Sequence, residues 1–252
     1  MVVLRLPRSL PMPPTGGPAA PRGGVVLVIP AHDEAGRIGP LIVRLPPTVL
    51  GEPTRCIVVD DGSTDDTAFE ALGAGAKVIS HGSNRGLGAA IATGLAAADA
   101  EDCVCVAFCD GDGEYAPEEL ALLVAPILSD RADYVVGSRF TGRILRMRPH
   151  RRFGNIVLTR WVRWLTRHPV TDGQSGYRAL SRAAARSARL AHDYNYAQVL
   201  TVNLIGQGYR YAEVPITYRF RESGRSFVRL VPYLRRVVPA VLREVHRQSS
   251  TT

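Results

Sequence analysis

The sequence predicts an α/β fold built on a mostly parallel sheet flanked by helices. Three observations lead there. Short, unbroken apolar runs mark strands buried on both faces rather than on one. Helix-patterned segments separate those runs, and strict strand–helix alternation is the signature of parallel pairing. Acidic clusters follow the runs, and in an open parallel sheet ligands gather beyond the carboxyl ends of the strands.

The elements follow in order. Val25–Pro30 (VVLVIP) is the first strand, and a helix is expected over Ile38–Leu45. Arg55–Asp60 (RCIVVD) is the second strand and Asp65–Leu72 the second helix. Lys77–Ser80 is a short third strand, followed by an Ala-rich helix over Gly88–Ala98. Asp102–Cys109 is the fourth strand. Glu118–Leu128 is helical, with Pro117 near the first turn, where its missing N–H costs nothing. Asp133–Gly137 is the fifth strand. The second half predicts helices over Phe153–Thr166, Ser181–Leu190 and Tyr196–Gly206, and a strand over Tyr209–Val214.

Residues 1–22 hold six prolines without apolar periodicity and are expected to form a disordered arm. Residues 23–226 read as one continuous domain without repeats or a long linker. Residues 227–252 form a basic C-terminal segment, in which Pro232 and Pro239 break or kink an alternation of apolar residues and arginines. With 46% apolar and 21% charged residues, the 252-residue chain is neither wholly disordered nor collagen-like. No uncharged apolar stretch is long enough for a membrane span, and the N-terminus lacks the apolar core of a secretory signal. Cys56, Cys103, Cys105 and Cys109 form no metal-ligand spacing with each other or with histidine. They are expected to be reduced and buried, as in a cytoplasmic protein, with the last three on one face of a strand.

Charge divides the chain. Residues 1–138 carry nine Lys/Arg and eighteen Asp/Glu, whereas residues 139–252 carry twenty-two Arg and five Asp/Glu. Nine arginines and no carboxylate occupy the stretch from Arg139 to Thr171. An anionic partner is implied for this half: phosphates, nucleic acid or a membrane surface. The basic segments lack the aromatic interleaving of nucleic-acid binders, so no nucleic acid is expected.

Three acidic clusters follow strands: Ala31-His32-Asp33-Glu34, Asp60-Asp61-Gly62-Ser63-Thr64-Asp65 and Asp110-Gly111-Asp112-Gly113-Glu114. Each alone reads as turn chemistry. Together, on one sheet edge, they read as a site. Asp110 and Asp112, one small residue apart, suit a hard divalent cation, Mg²⁺ or Mn²⁺, shared with substrate phosphates. Glu114 adds a metal ligand or orients one. Gly111 lets backbone approach closely. Asp61 is a candidate acceptor of hydrogen bonds from a base or ribose. Asn84-Arg85-Gly86-Leu87-Gly88 is a helix-entry loop, and the absence of GxGxxG after the first strand counts against a dinucleotide-binding dehydrogenase.

In this order, IPAHDE, VVDDGSTDDT, NRGLGAA, DGDGEYAPEEL and VVGSRF resemble family 2 glycosyltransferases with a GT-A, Rossmann-like fold. TDGQSGYRALSR and EVPITYRFRESGRS further resemble the branch that makes polyprenyl-phosphate sugars, such as dolichol-phosphate mannosyl- and glucosyltransferases. The resemblance covers Val25 to Phe227. It implies nucleotide-sugar binding by Pro30, His32, Glu34, Val59 and Asp61 within 23–138, and an acceptor side within 139–226. It implies Asp110 and Asp112 as the metal-binding pair beside Gly111, with Glu114 where Gln is frequent. It places Asp112 and Arg139 at the catalytic centre, Arg139 reaching phosphate. Arg151, Arg152, Asp172, Gln174, Arg221 and Arg225 fall on the acceptor side. His32 stands where Tyr is usual, and Phe227 where Lys is frequent.

The activity implied is an inverting, metal-dependent transfer of a hexose from a GDP-mannose- or UDP-glucose-type donor to a polyprenyl phosphate. The alternative acceptor is a hydroxyl of a saccharide, lipid or small molecule. Hydroxyl acceptors need a general base, yet no carboxylate lies between Tyr194 and Gly206, and Asp193 and Asp172 are the nearby substitutes. A lipid acceptor would bring a cytoplasmic enzyme to the membrane, by direct docking of the basic half 139–252 and its arginine-rich 227–247 segment or through a membrane subunit. Trp161 and Trp164 are expected in core or interface packing.

Overall fold

The computed structural model describes residues 23–147, 149–190, 196–219, 239–241 and 243–244, the side chains of Arg146, His150 and Arg151 excepted. The arm expected over residues 1–22 and nearly all of the segment 227–252 lie outside the described residues.

An eight-stranded sheet forms the centre. Its strands are β1 (Val25–Ala31), β2 (Thr48–Val49), β3 (Glu52–Asp60), β4 (Lys77–Ser80), β5 (Cys105–Phe108), β6 (Tyr134–Arg146), β7 (Arg178–Ser181) and β8 (Tyr211–Arg219). The order across the sheet is β2-β3-β1-β5-β7-β6-β8, with β4 also on β3. β1 pairs in parallel with β3 and β5, and β3 with β4, as the alternation predicts. β7 is antiparallel to both neighbours, β5 and β6, and β8 is parallel to β6.

All seven residues of β1 are buried, which explains its unbroken apolar run. Val25, Leu27, Ile29 and Ala31 pack toward the helices α1 (Ile38–Val43), α2 (Thr67–Gly73) and α4 (Leu120–Leu128). Val26 and Val28 face α3 (Leu87–Ala100), α6 (Arg182–Ser187) and α7 (Tyr196–Gly206). α3 lies so close that a Cβ on Gly94 would come within 2.1 Å of Val28. The helix α5 (Pro149–Thr166) packs on α7 through Val162.

Several expectations need correction. The fifth strand, expected to end at Gly137, continues as β6 to Arg146, because residues 143–146 pair again with β8 after an irregularity. The helix expected over Ser181–Leu190 is the shorter α6, because Ser181 ends a strand, β7, that no expectation covered. Ser181 caps α6, its hydroxyl accepting from the Ala184 N–H at 3.2 Å. All four cysteines are free and buried, but they do not share one face as expected. β5 begins only at Cys105, and Cys103 packs with the α3 layer while Cys105 and Cys109 pack on the other side. The turn before it, with Asp102 at φ +53°, breaks the strand alternation.

Candidate active site

The polar ends of β1, β3 and β5 lie along one sheet edge. The loops after β1 and β3 are stitched together. The N–H of Asp33 donates to Ser63 Oγ at 3.0 Å, that of Glu34 to Thr67 Oγ1 at 2.8 Å, and that of Ala35 to Asp65 Oδ2 at 3.1 Å. In return Asp33 Oδ1 accepts from the Thr64 N–H at 2.8 Å. This rigid floor leaves His32 exposed, its Nε2 3.6 Å from Asp33 Oδ2. Glu34 pairs with Arg37 at 2.8 Å. Pro30 and Val59 are register partners between β1 and β3. The Val59 side chain lies in the core facing α3, so its contribution at this edge is backbone.

Asp61 is buried and holds the Asn84–Gly86 loop. Its Oδ1 accepts from the Arg85 N–H at 2.9 Å and its Oδ2 from the Gly86 N–H at 2.8 Å. His81 Nδ1 lies 2.7 Å from the same Oδ1, and its Nε2 lies 3.0 Å from Thr93 Oγ1. A carboxylate oxygen accepts, so Nδ1 is the donor in the first contact. Sequence reasoning missed His81. The same rule that singled out the other clusters, a polar residue just past a strand's carboxyl end, would have found it after β4.

The Asp110–Glu114 loop follows β5. The Asp110 carboxylate rests on Gly176, where a Cβ would stand 2.4 Å from Oδ2. Gly111 runs against the Pro30 carbonyl, 3.2 Å from where its Cβ would be. Asp112 Oδ1 accepts from the Glu114 N–H at 3.1 Å, which shapes the turn. Among the described residues no three His, Cys, Asp or Glu side chains converge as a metal-binding group. Glu114, expected to add a ligand or to orient one, is buried and accepts from the Tyr218 hydroxyl at 2.5 Å. The donor set at Asp110 and Asp112 still fits Mg²⁺ or Mn²⁺. Both residues offer oxygen, the glycine leaves the first carboxylate room, and Mg²⁺ commonly takes one or two carboxylates and completes its shell with water and substrate phosphate.

β6 and β7 supply the opposite wall. Arg139 and Asp172 are both buried and form a two-pronged pair, Nε to Oδ2 at 2.7 Å and Nη2 to Oδ1 at 2.9 Å. The Arg139 N–H adds a third bond to Oδ2 at 3.0 Å, and Gln174 N–H a fourth to Oδ1 at 3.2 Å. Burial alone would lower the Arg139 pKa, but the neighbouring Tyr115 and Asp172 more than offset it, and the net shift is upward. The guanidinium also stacks over Tyr218, 5.1 Å from the ring centre. Burial, reinforced by the Glu114 carboxylate, pushes the Tyr218 hydroxyl up, so it stays a donor.

Glu213 of β8 supports this wall, another feature sequence reasoning passed over. It accepts from the Thr171 N–H at 2.8 Å and the Asp172 N–H at 3.2 Å, and from the hydroxyls of Thr171 and Tyr211. Arg178, of the SGYR run, is fully buried and bonds the carbonyls of Gly173, Ser175 and Ala197. Its role is to fix β7 on α7. Arg152 lies exposed on α5. The Arg151 side chain, Asp193, Arg221 and Arg225 lie outside the described residues.

The fold is close to that of glucosyl-3-phosphoglycerate synthase from Mycobacterium tuberculosis. One structure of it, with phosphoglyceric acid, superposes at TM-score 0.72 with 25% identity over 89% of this chain and 80% of that one. Another, with Mn²⁺, UDP-glucose and phosphoglyceric acid, gives TM-score 0.70 and 26% identity over the same shares. Polyprenol monophosphomannose synthase from Mycolicibacterium smegmatis is 32% identical over 221 residues, 82% of this chain and 81% of that protein. Dolichyl-phosphate hexose transferase from Haloferax volcanii is 30% identical over 199 residues, 78% of this chain and 83% of that one. The model of glycosyl transferase family 2 matches residues 26–187, from the second residue of β1 to the end of α6, and the chain is a GT-A-like glycosyltransferase of that family.

Proposed function

We propose that the chain moves a hexose, with inversion, from a nucleotide diphosphate sugar of the GDP-mannose or UDP-glucose type to a polyprenyl phosphate. The observation that carries the acceptor assignment is the state of the acceptor-side carboxylates. Asp172 already accepts four hydrogen bonds and Glu213 is spent on the 171–172 backbone. The first turn of α7 carries no acid. No described carboxylate there is poised to take a proton from a hydroxyl. A phosphate acceptor is already anionic at neutral pH and needs no such base. The likeness to polyprenol- and dolichyl-phosphate transferases supports the same reading.

In this reading the stitched loops after β1 and β3, with Asp61, bind the nucleotide. Asp110 and Asp112 would hold Mg²⁺ or Mn²⁺, which when bound would supply positive charge to offset that of the leaving diphosphate. Arg139 is held in place by Asp172 and Tyr218, so its field acts on phosphate without reorganising during the reaction. Its Nη1 takes no part in the fork with Asp172. Arg152, with Arg151, Arg221 and Arg225, supplies cationic forks to the acceptor phosphate. The acceptor oxygen forms its bond to the anomeric carbon as the bond to the nucleoside diphosphate breaks. A lipid-borne acceptor brings the enzyme to a membrane face, and no helix among the described residues is long and apolar enough to cross one.

The test is a release assay for nucleoside diphosphate, run across GDP- and UDP-sugars with Mn²⁺ or Mg²⁺ and with polyprenyl phosphate, its free alcohol or phosphoglyceric acid as acceptor. Transfer to polyprenyl phosphate, abolished by Asp112→Ala and by EDTA, is expected. Full turnover in excess chelator overturns the metal assignment. Transfer only to the alcohol or to phosphoglyceric acid, an outcome that the likeness to glucosyl-3-phosphoglycerate synthase makes specific, overturns the acceptor.

A further inference from the structure

Four of the ten large apolar side chains exposed among the described residues lie on one helix, α5: Phe153 (71%), Ile156 (40%), Val157 (50%) and Trp164 (74%). The other six are dispersed over the rest of the chain. Phe153, Val157, Arg160 and Trp164 follow one another at intervals of four, three and four residues and so form a single stripe about 16 Å long at 1.5 Å per residue. Leu158 and Val162 lie on the opposite face and are buried toward the protein. The helix is thus amphipathic twice over. Its inner face makes core, and its outer face presents aromatic and branched side chains to solvent with nothing described packed over them.

The charge around the stripe has one sign. Arg152, Arg160 and Arg163 are exposed on α5, and no Asp or Glu occurs between Arg139 and Thr171. A protein partner with an apolar face would not by itself call for an unbroken cationic surround. An anionic lipid leaflet requires that combination: aromatic and aliphatic groups that enter the headgroup boundary, and arginines whose stems lie along the apolar layer while their heads reach lipid phosphates.

We propose that the outer face of α5 is a docking surface for an anionic bilayer, lying flat in the interface rather than spanning it. The inference rests on the reading of a lipid-borne acceptor. It narrows the sequence expectation, which put docking on the whole basic half and its 227–247 segment. The Thr159 hydroxyl of α5 accepts from the N–H of Gly173, the neighbour of Asp172, at 3.1 Å, so a leaflet seated on α5 lies beside the wall that holds Arg139. The Trp164 ring, expected in packing, then has a lipid interface as its packing partner.

The chain's two tryptophans, Trp161 and Trp164, both lie on α5, which makes intrinsic fluorescence a local probe. The experiment uses the full chain carrying Trp161→Phe, with vesicles of phosphatidylcholine alone or mixed with phosphatidylglycerol. Binding to the mixed vesicles, a blue shift of Trp164 emission, quenching by brominated lipid and weakening at high salt are expected. Phe153→Ala with Val157→Ala should lower partitioning at least about tenfold, as loss of buried apolar area from an interfacial helix does. Circular dichroism melting checks that these exposed substitutions leave the fold intact. Turnover of detergent-dispersed acceptor is expected to persist in that variant, which separates this proposal from the acceptor assignment. Flotation without quenching of Trp164 overturns it, as does the absence of binding to anionic vesicles at low salt. A blue shift that follows protein concentration and ignores lipid also overturns it, because the stripe is then covered by a second copy.

Discussion

Asp172→Asn tests the buried pair on which the acceptor wall depends. The asparagine keeps the shape of the aspartate but replaces one acceptor oxygen by a donor. Each Asp172 oxygen accepts two hydrogen bonds, Oδ2 from the N–H and Nε of Arg139, Oδ1 from its Nη2 and from the Gln174 N–H. Whichever way the amide turns, two of the four are lost and a donor faces donors. At about 1.5–3 kcal/mol for a hydrogen bond to a charged group, the loss is roughly 3–6 kcal/mol. Leaving a buried charge without its partner gives a similar figure of about 3–5 kcal/mol. In a chain of this size each kcal/mol moves the melting temperature by about 2–4 °C, so a fall of about 6–24 °C is expected. Calorimetric or circular-dichroism melts of the wild type, Asp172→Asn, Arg139→Met and the double variant measure it. The double variant should be less destabilised than the sum of the singles, because it leaves no unpaired charge. A fall under 2 °C for Asp172→Asn, or additive losses, would refute the reasoning.

Three further outcomes are expected. Burial pushes the Cys56 and Cys105 thiols up to about 12 and raises those of Cys103 and Cys109, so native protein at neutral pH should leave a disulfide reagent such as DTNB unreacted until urea exposes all four; rapid native reaction contradicts this. Its hydrogen bonds to Arg210 hold the Asp133 carboxyl below its ordinary value of 3.8, so the pair contributes stability above that value and loses it as pH falls through the depressed one. Arg210→Ala should therefore flatten the dependence of urea midpoints on pH in the acid range, and unchanged curves would dismiss the pair. Gly176→Ala, whose Cβ would stand 2.4 Å from Asp110 Oδ2, should weaken Mn²⁺ activation by about tenfold or more, as disturbing the support of a ligand does, with a smaller effect on melting; unaltered activation would remove Asp110 from the metal site.

The features legible in the sequence are the ones set by local pattern. β1, the second half of β3 and β5 are buried on both faces and so read as unbroken apolar runs, and their carboxyl ends carry the acidic clusters that the structure brings to one edge. β2, at two residues, is too short for any period to register. The residues of β7, Arg-Ala-Leu-Ser, run straight into α6 and share its helix-compatible composition. The second half of β6 is strand because β8 pairs with it, a long-range fact absent from its own residues. Glu213 and Tyr218 stood inside a quoted motif without a role, since their partners lie 42 and 104 residues away. His81 is different: the strand-end rule applied to it and was not used.

The antiparallel insertion of β7 is what makes a site of these parts. Were β6 to pair directly with β5, as strict alternation would have it, the Thr171–Gly176 turn would have no reason to lie over the β5 loop. With β7 between them, that turn delivers Asp172 to Arg139 on β6 and Gly176 to Asp110 beyond β5. β8 completes the connection from the far side. Glu213 holds the turn, and Tyr218 holds Glu114, whose own N–H shapes the Asp112 carboxylate. The Asp112 turn and the arginine on β6 thus meet at Tyr218, which donates to Glu114 and lies under the Arg139 guanidinium. In a low-dielectric wall such a network resists partial disruption, because each member left without its partner is a buried polar or charged group. That is the physical reason a strongly basic half can fold against an acidic one without its central arginine drifting to the nearest acidic loop: Asp172 and Tyr218 already hold it in place.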